Sequence, residues 1–424
     1  MAKKFKSLIF CFMLFSFFLS GCVSEEENIM NNAFEEASIK LATLNSELEN
    51  SIINAELLIA ANERAFDENA IGKLEMAVSL AKSKKVAIPE KPKELESMKS
   101  EIEKINNTDY TSLLKQIADS KKVYEDSVNQ LKQVIAPTEA FIIERIQAID
   151  GIMEISAVTE DNDPNNKLGK QGGYTAHIFF SYNLVNQADV SGNSIIDKGT
   201  DCGGSIEVYN TVEDAEKRNA YLSTYDGGMF ASGSHKVMGT VVVRTSNLLK
   251  ATQQKELEAK LIYSLINYQS SNEADKIYSS GECVYRISPT WKLALDSKEI
   301  KFFYPSGTTS PENGILMLQI QYLDASNDSQ YEVFDNYIQE LRNDETNFEI
   351  LEQNDIKITN LDGRHLVFSA GVNEEVFEFE SVMFLNNGIF YTFTAAHKEE
   401  IPTSFKDGFN NMVQSIGFIS NETP

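Results

Sequence analysis

The sequence predicts a multidomain protein in which an N-terminal all-α helical bundle precedes two α+β domains with mainly antiparallel sheets. The chain has 424 residues, which exceeds what one hydrophobic core usually organises. Apolar residues recur at three- and four-residue steps as far as about residue 133, the period of an amphipathic helix. Beyond residue 137, strand-like runs alternate with helical segments, which indicates sheets covered by helices.

Composition and charge exclude several classes of protein. Hydrophobic residues make up 42% and charged residues 24% of the chain, so the chain can bury substantial cores and is neither collagen-like nor wholly disordered. The 38 basic and 63 acidic residues give a net charge of -25. A surface this acidic repels phosphate backbones, and we therefore expect no nucleic-acid partner.

Residues 1–21 have the features of a secretory signal peptide. Lys3, Lys4 and Lys6 precede an almost purely apolar run at residues 8–19. This run is shorter than the roughly 20 apolar residues that span a bilayer. We therefore expect export of the chain followed by removal of this segment.

The signal segment ends in Leu19-Ser20-Gly21-Cys22, which resembles the lipobox of bacterial lipoproteins. The resemblance implies cleavage after Gly21 and a diacylglyceryl group on Cys22, which becomes the mature N-terminus. Acyl chains gain about 0.8 kcal/mol per buried methylene, so we expect the membrane as a partner through this N-terminal lipid anchor, with the protein on the extracytoplasmic face of the cell membrane. The alternative is an ordinary signal peptide with an incidental cysteine.

Residues 22–34 are predicted to form an acidic, solvated tether, and residues 35–136 a helical bundle. The tether contains three consecutive glutamates. Breaks in the apolar period at 62–69, 88–92 and 106–109 divide the bundle into four antiparallel helices. The apolar stripe of such helices is either core packing or a groove for a partner.

A domain boundary is expected at Pro137, which ends the last bundle helix. Residues 137–269 predict an α+β domain with a mainly antiparallel sheet. Its predicted elements are a short helix from Thr138, strands at 174–181, 205–209 and 236–244, and helices at 212–224 and 252–268.

Several motifs are distinctive in the middle domain. They are Thr159-Glu160-Asp161-Asn162-Asp163-Pro164-Asn165, Gly169-Lys170-Gln171-Gly172-Gly173-Tyr174, Asp197-Lys198-Gly199-Thr200-Asp201 and Gly233-Ser234-His235. Together they resemble a module of Gram-positive lipoproteins, in which it follows a helical segment labelled EbhA-like after repeats of large surface adhesins. The match covers about residues 35–268. It implies a bacterial surface lipoprotein and assigns no functional residues.

Residues 270–280 are predicted to link the middle domain to a third domain at residues 281–420. The predicted elements are strands at 283–288, 300–304, 315–323, 349–358, 364–370, 376–385 and 389–395, and helices at 329–342 and 403–415. An antiparallel sheet covered by two helices is the simplest packing, with Trp291 fixing the entry strand.

Three short motifs in the third domain resemble a known family. They are Pro289 with Trp291, the strand Tyr391-Thr392-Phe393-Thr394-Ala395, and Ser415-Ile416-Gly417-Phe418. These residues resemble the photosystem II extrinsic protein P (PsbP-like) family. The resemblance implies a fold and not the photosynthetic role, since nothing in the sequence marks a photosynthetic partner.

One turn has part of a calcium-binding pattern. Asp161, Asp163 and Asn165 have the one-three-five spacing of a calcium loop, but Asn166 and Gly172 stand where that loop needs glycine and glutamate. We expect these side chains to shape a turn more than to hold an ion, so no metal site is assigned. Weak calcium binding stays open as the alternative.

A second group has the residue types of a catalytic triad. Ser234 lies beside His235, with Asp201 or Asp226 upstream. The sequence has no G-x-S-x-G elbow at this position, so we expect a turn-forming role and assign no catalytic residue.

The remaining histidines and cysteines are scattered. His177, His365 and His397 form no i, i+4 pair with each other or with His235, and we expect no catalytic zinc. Cys202 and Cys283 would be able to pair in an oxidising location, but they lie in different predicted domains. Two buried free thiols are the preferred interpretation.

Two functions from different classes follow. The first is a membrane-anchored extracytoplasmic lipoprotein that acts without catalysis, as a binding or interaction protein for a protein, a cell-wall component or a small molecule. The second is an extracytoplasmic enzyme with an unfamiliar site. The sequence contains no complete nucleophile, metal or phosphate motif, which favours the first function and predicts no cofactor.

Overall fold

The computed structural model describes residues 25–419 apart from 229–232, 268–274, 309–313, 324–328, 359–360, 373–374, 399–400 and 402. The chain divides into two compact units. Within the described residues, the first unit contains 25–63 and 69–124, and the second contains 64–68 and everything from 125 onwards. The order is that predicted from the sequence, with a helical region followed by antiparallel, sheet-rich α+β regions.

The first unit is helical. Its elements are α1 (Glu25–Ala61), α2 (Ala70–Lys84), α3 (Leu95–Asn106) and the first half of α4 (Thr111–Gln133). Leu41, Leu48 and Ile52 recur on one face of α1 and are buried, as the apolar period predicts. The Tyr110 hydroxyl donates to the Asn45 side chain at 2.9 Å and accepts from the backbone N–H of Val86 at 2.8 Å, which ties three segments of the unit together.

The segment predicted to be an acidic, solvated tether is mostly helical in the structure. Helix α1 begins at Glu25, so residues 25–34 are helical, and Phe34 is buried against the cluster that contains Met98. The three glutamates lie in the first turn of α1. Negative charge is favourable there because it faces the positive end of the helix dipole, and this is why a charged segment continues the helix.

The second unit begins with a five-stranded antiparallel sheet. Its elements are α5 (Glu139–Ile146), β1 (Ile152–Ala157), β2 (Tyr174–Tyr182), α6 (Ile195–Lys198), β3 (Gly203–Tyr209), α7 (Val212–Ser223), β4 (His235–Met238), β5 (Val241–Thr245) and α8 (Ala251–Ile266). The strand order is β1-β2-β3-β5-β4. One face of this sheet packs on α5 and α8 through the largest apolar cluster, and α7 covers the other face.

The prediction of a single strand at 236–244 is wrong, because these residues form a hairpin of two strands. Strands β4 and β5 pair antiparallel on either side of a turn at Gly239 and Thr240. Gly239 has φ +55, and a side chain there would meet the carbonyl oxygen of Val134 at 2.5 Å. The apolar run continues across the turn, so its alternation alone does not reveal the break.

The rest of the second unit contains a seven-stranded and a three-stranded antiparallel sheet. The elements are β6 (Lys276–Ser280), β7 (Cys283–Ile287), β8 (Trp291–Asp296), β9 (Ile300–Pro305), β10 (Ile315–Tyr322), α9 (Gln330–Asp344), β11 (Thr346–Ile358), β12 (Leu361–Val372), β13 (Glu375–Asn386), β14 (Ile389–Lys398), α10 (Thr403–Gln414) and β15 (Gly417–Phe418). The large sheet has the order β11-β12-β13-β14-β10-β9-β8, and the small sheet has the order β15-β7-β6.

The two predicted helices cover opposite faces of the large sheet. On α9, Phe334 and Ile338 pack in the cluster that contains Met383. On α10, Phe409 packs in the cluster that contains Phe384, the next residue along β13. Because successive side chains of a strand point to opposite faces, the two helices lie on opposite sides.

The predicted linker at 270–280 is in part a strand. Residues 276–280 form β6, which pairs with β7. Apolar residues of β6 and β7 belong to the same cluster as α8, and the Tyr263 hydroxyl on α8 donates to the backbone carbonyl of Ser415. The middle and third regions are therefore in contact, and the division into domains at 137–269 and 281–420 stays a prediction for limited proteolysis.

Among the described residues, no helix has the length and hydropathy needed to cross a bilayer.

Candidate functional site

The predicted lipidation site lies outside the described residues. Cys22 and the cleavage position at Gly21 precede Glu25, where the described chain begins. Both assignments stay predictions from the sequence.

The calcium-like turn is held by hydrogen bonds within its own loop. The Asp163 carboxylate accepts from the backbone N–H groups of Asn165 at 3.0 Å and Leu168 at 2.7 Å, and also from the Tyr174 hydroxyl. Burial by itself would raise the pKa of Asp163, but these hydrogen bonds outweigh it and lower the pKa to about 2. The carboxylate is therefore ionised and already engaged by donors of the turn, while Asp161 is exposed.

The candidate triad does not assemble. The Ser234 hydroxyl lies 2.8 Å from the Thr245 hydroxyl. The two ring nitrogens of His235 face Asn219 at 2.7 Å and Asp226 at 3.2 Å. Since both nitrogens have other partners, His235 is not placed to take a proton from Ser234. His235 is the first residue of β4 and pairs with Arg244 of β5, so it lies in a strand and not in the expected turn.

A cluster of charged side chains lies under α7 on the five-stranded sheet. We call Glu207, Arg218, Arg244, His177 and Tyr209 the Glu207 cluster. Arg218 binds the Glu207 carboxylate through two nitrogens at 2.7 and 2.8 Å, and Arg244 adds a third contact at 3.0 Å. The Tyr209 hydroxyl donates to the same carboxylate at 2.7 Å. Glu207 is fully buried, so its charge is balanced by these partners instead of by water.

His177 is the least satisfied member of the Glu207 cluster. Its ring lies between Phe179 and Tyr174, with centroids 4.1 and 4.7 Å away, and its Nε2 is 3.9 Å from a Glu207 oxygen. In the described part of the chain, neither ring nitrogen has a hydrogen-bond partner. Burial is the main cause that lowers the pKa of His177 to about 4. The ring is therefore neutral at pH 7.

The other histidines and the cysteines do not form a metal site. His365 lies 2.9 Å from Glu380 on the large sheet, and His397 packs against Phe405. Cys202 and Cys283 are both buried and unpaired, which agrees with the preferred interpretation. Over the described ranges, no three His, Cys, Asp or Glu side chains come together as metal ligands would.

The large sheet has a neutral polar depression beside α9. We call it the Gln319 depression. It is a shallow surface feature with no enclosed cavity, and it is lined by Gln319, Gln321, Tyr337, Phe390 and Thr392. In the antiparallel register of β10 and β14, Gln319 lies opposite Thr392 and Gln321 lies opposite Phe390. The strand pairing therefore places these four side chains on one face, and α9 contributes the fifth.

Most of the polar groups in the Gln319 depression are accessible. Gln321 is exposed, and Gln319 and Tyr337 are half-buried. Neither glutamine side chain forms a hydrogen bond to any described residue. Phe390 is buried and forms the floor, 5.2 Å from the Tyr337 ring. Burial raises the pKa of Tyr337, so its hydroxyl stays neutral at pH 7. The lining is thus uncharged, with hydrogen-bonding groups at the rim.

Sequence reasoning missed both the Glu207 cluster and the Gln319 depression. For Glu207 the available signal was a lone acid inside the buried strand Gly203–Tyr209. For the depression, the available signal was a change of polarity on one face of β10. Ile315 and Met317 are apolar, whereas Gln319 and Gln321, further along the same face, carry amides.

The comparisons with known proteins give distant likenesses in structure only. No protein-family model matches the sequence, and no curated protein matches it. The cyanobacterial PsbP protein CyanoP from Synechocystis sp. PCC 6803 is 14% identical, with a TM-score of 0.28, over 36% of this chain and 98% of that protein. LpqN, described as involved in cell envelope biogenesis of Mycobacterium tuberculosis, is 12% identical, with a TM-score of 0.26, over 35% of this chain and 96% of LpqN. The immunity protein TplEi of Pseudomonas aeruginosa is 12% identical, with a TM-score of 0.21, over 51% of this chain and 88% of that protein. The chain is thus remotely similar to CyanoP and LpqN, and these likenesses carry no functional assignment.

Proposed function

We propose that the protein is a lipid-anchored extracytoplasmic lipoprotein that acts as a non-enzymatic binding protein. The anchoring part rests on the signal-like segment that ends in Gly21-Cys22. The binding part rests on one observation, the accessible amides of Gln319 and Gln321, which have no hydrogen-bond partner among the described residues and lie over an aromatic floor. A few convergent polar groups over an apolar floor are typical of ligand sites.

The residues with candidate chemistry support binding over catalysis. The Asp163 carboxylate is occupied by its own loop, and the two nitrogens of His235 face Asn219 and Asp226. Glu207 is held by arginines under α7. A general base needs a free position within hydrogen-bond reach of a substrate proton, and these three side chains have none.

Anchoring is tested by substitution of the lipidated cysteine. We expect Cys22→Ala to release the protein from membranes, because the acyl chains would be its strong lipid contact. Cys11→Ala, inside the apolar run, is the matched control and should stay bound. Radiolabelled palmitate should mark the wild type and Cys11→Ala but not Cys22→Ala. Sedimentation of Cys22→Ala with membranes after a high-salt wash would contradict the lipid anchor.

Binding is tested by what co-purifies with the membrane-extracted protein. Native mass spectrometry should detect a ligand on the wild type that is lost from a variant carrying Gln319→Leu and Gln321→Leu. Gln353→Leu, on the exposed edge strand β11, is the matched control and should keep the ligand. A ligand that is retained by the double variant would place binding elsewhere and contradict the site.

A further inference from the structure

We infer that the outward face of α1 pairs with the same face of a second copy of this chain, as a parallel two-stranded coiled coil. This interaction surface belongs to the first unit and is separate from the proposed ligand binding. It consists of positions a and d of one heptad repeat, and we call it the α1 seam: Ile39, Thr43, Ser46, Asn50, Ile53 and Leu57.

The α1 seam lies opposite the buried face of the same helix. Leu41 and Leu48 on the buried face have no exposed surface. On the seam, Ile39 is 67% exposed, Ile53 is 45% exposed and Leu57 is 65% exposed. A helix that packs on one side needs one apolar stripe. The second stripe of α1 is therefore not needed for packing within the described part of the chain.

The large apolar side chains exposed on α1 follow a seven-residue repeat. Ile29 and Leu57 are four heptads apart at position a, and Ile39 and Ile53 are two heptads apart at position d. Scattered hydrophobic residues on a surface are ordinary, whereas a sustained repeat at a and d is the pattern of a coiled-coil seam. The spacing therefore indicates a second helix as the partner.

The charges beside the α1 seam permit a second copy to approach. The chain has a net charge of -25, so most of its surface repels another copy. The six seam residues are uncharged. The acids that flank them, Glu49 and Glu56, form ion pairs with Lys85 and Lys82 of the same chain, which offset their charge.

The flanking positions also avoid like-charge contacts in a parallel pair. There, a residue at position g faces the residue at position e that lies five positions further along the other helix. Glu49 would face Asn54, and Glu56 would face Ala61. Both contacts lack a second acid, so the acidic flank does not oppose pairing along this part of α1.

Asn50 accounts for the register and the orientation. It occupies an a position between Thr43 and Leu57 and is exposed. An asparagine at a single a position specifies register and oligomer state, at a cost in stability, because the two amides face each other across the pair. Under the proposed anchoring at Cys22, both N-termini lie at one membrane surface, and parallel helices satisfy this arrangement.

Glu36 limits the length of the α1 seam. It occupies the a position between Ile29 and Thr43, and in a parallel pair it would face its counterpart in the second copy. Like charges in contact are destabilising. The contact is therefore expected from Ile39 to Leu57, and removal of the Glu36 charge should extend it.

The test of association uses the mature, detergent-solubilised full chain. Sedimentation velocity should show a monomer–dimer equilibrium with a Kd on the order of 10 μM, since the seam is short and partly polar. Ile53→Glu should weaken association at least about tenfold, because it opposes two like charges. Met76→Glu is the matched control, since Met76 is 66% exposed on α2 outside the seam. It should leave association unchanged, and neither variant should change the helical circular dichroism.

Two further variants test the orientation. Glu36→Leu should strengthen association by about tenfold, because it removes the like-charge contact. Ser46→Cys should form a disulfide with its counterpart under copper phenanthroline oxidation, since equivalent d positions adjoin in a parallel pair. Ser79→Cys, exposed on α2, is the control and should stay reduced.

Several results would overturn the α1 seam as a self-association surface. They are a monomer at about 100 μM, equal association by Ile53→Glu, no gain from Glu36→Leu, and a dimer that Ser46→Cys does not cross-link. Release of Cys22→Ala from membranes and loss of the co-purifying ligand are measured separately. Failure of the seam therefore leaves the proposed anchoring and ligand binding standing on their own tests.

Discussion

The two large sheets of the second unit differ in whether their polar side chains are buried and paired or accessible. In the five-stranded sheet, the charged side chain of Glu207 is fully buried. Arg218, Arg244 and Tyr209 all form hydrogen bonds with its carboxylate. In the seven-stranded sheet, Gln319 and Gln321 are uncharged, accessible and unpaired among the described residues. A buried charge with every partner present organises a fold, whereas neutral groups left open are available to a ligand.

The first prediction concerns the charge at the centre of the Glu207 cluster. We expect Glu207→Gln to destabilise the second unit by about 3–5 kcal/mol, because it leaves two largely buried arginines without a counter-charge. Urea unfolding of the mature chain, with hydrogen exchange of β2, β3 and β5, measures the loss. Glu213→Gln on α7 is the matched control, since its ion pair with Lys217 is exposed to solvent and should contribute little to stability. A loss below about 1 kcal/mol for Glu207→Gln would contradict a structural role.

The second prediction concerns the pH dependence that His177 produces. Its folded pKa of about 4 lies below the reference value of 6.5, so the unfolded chain binds a proton more readily than the folded one. This contribution to stability is complete above pH 6.5 and is lost as the pH falls toward 4. The loss amounts to roughly 3 kcal/mol. The variant His177→Phe should flatten the stability curve in this window, and an unchanged slope would contradict the assignment.

The third prediction concerns the turn at Asp163. We expect Asp163→Ala to cost about 1–2 kcal/mol, because several loop donors lose their acceptor. Calcium should not raise the melting temperature of the wild type. A site of about 1 mM affinity would add roughly 1.4 kcal/mol at about 10 mM calcium. A calcium-dependent rise that disappears in Asp161→Asn or Asp163→Asn, with magnesium inactive, would show a binding site instead.

The smallest expected effect on stability belongs to the Gln319 depression. Replacing Gln319 and Gln321 by leucine should change the free energy of unfolding by less than about 0.5 kcal/mol, because neither amide holds another described residue. The same urea experiment measures it. A loss above about 1 kcal/mol would mean that these amides support the sheet, and would remove the contrast with Glu207.

The sequence predicted the local parts of the fold better than the long-range ones. The structure confirms the helix breaks at 62–69 and 88–92 and the strand β10. Each of these features depends on residues that are close together in the sequence. The hairpin at Gly239 was missed because its turn lies inside one apolar run. Strand β6 was missed because it follows a polar segment that resembles a linker.

Neither candidate site could be recognised from sequence spacing. The three charged members Glu207, Arg218 and Arg244 come from two strands and a helix, and only the sheet register brings them together. At the depression, Gln319 lies opposite Thr392, which is 73 positions further along the sequence. Alternating polarity on β10 is equally typical of a solvent-facing strand, so the pattern alone does not single it out as a site.

Methyl NMR of the methionines tests the contrast between the two sheets most directly. Met317 lies on the β10 face two residues from Gln319, and Met238 lies at the end of β4 in the five-stranded sheet. We predict that the ligand that co-purifies with the membrane-extracted protein shifts the Met317 methyl resonance, and that this shift is lost with Gln319→Leu and Gln321→Leu. The Met238 resonance should stay in place. A shift of Met238 without Met317, or no shift of either at saturation, would contradict a binding site on the large sheet.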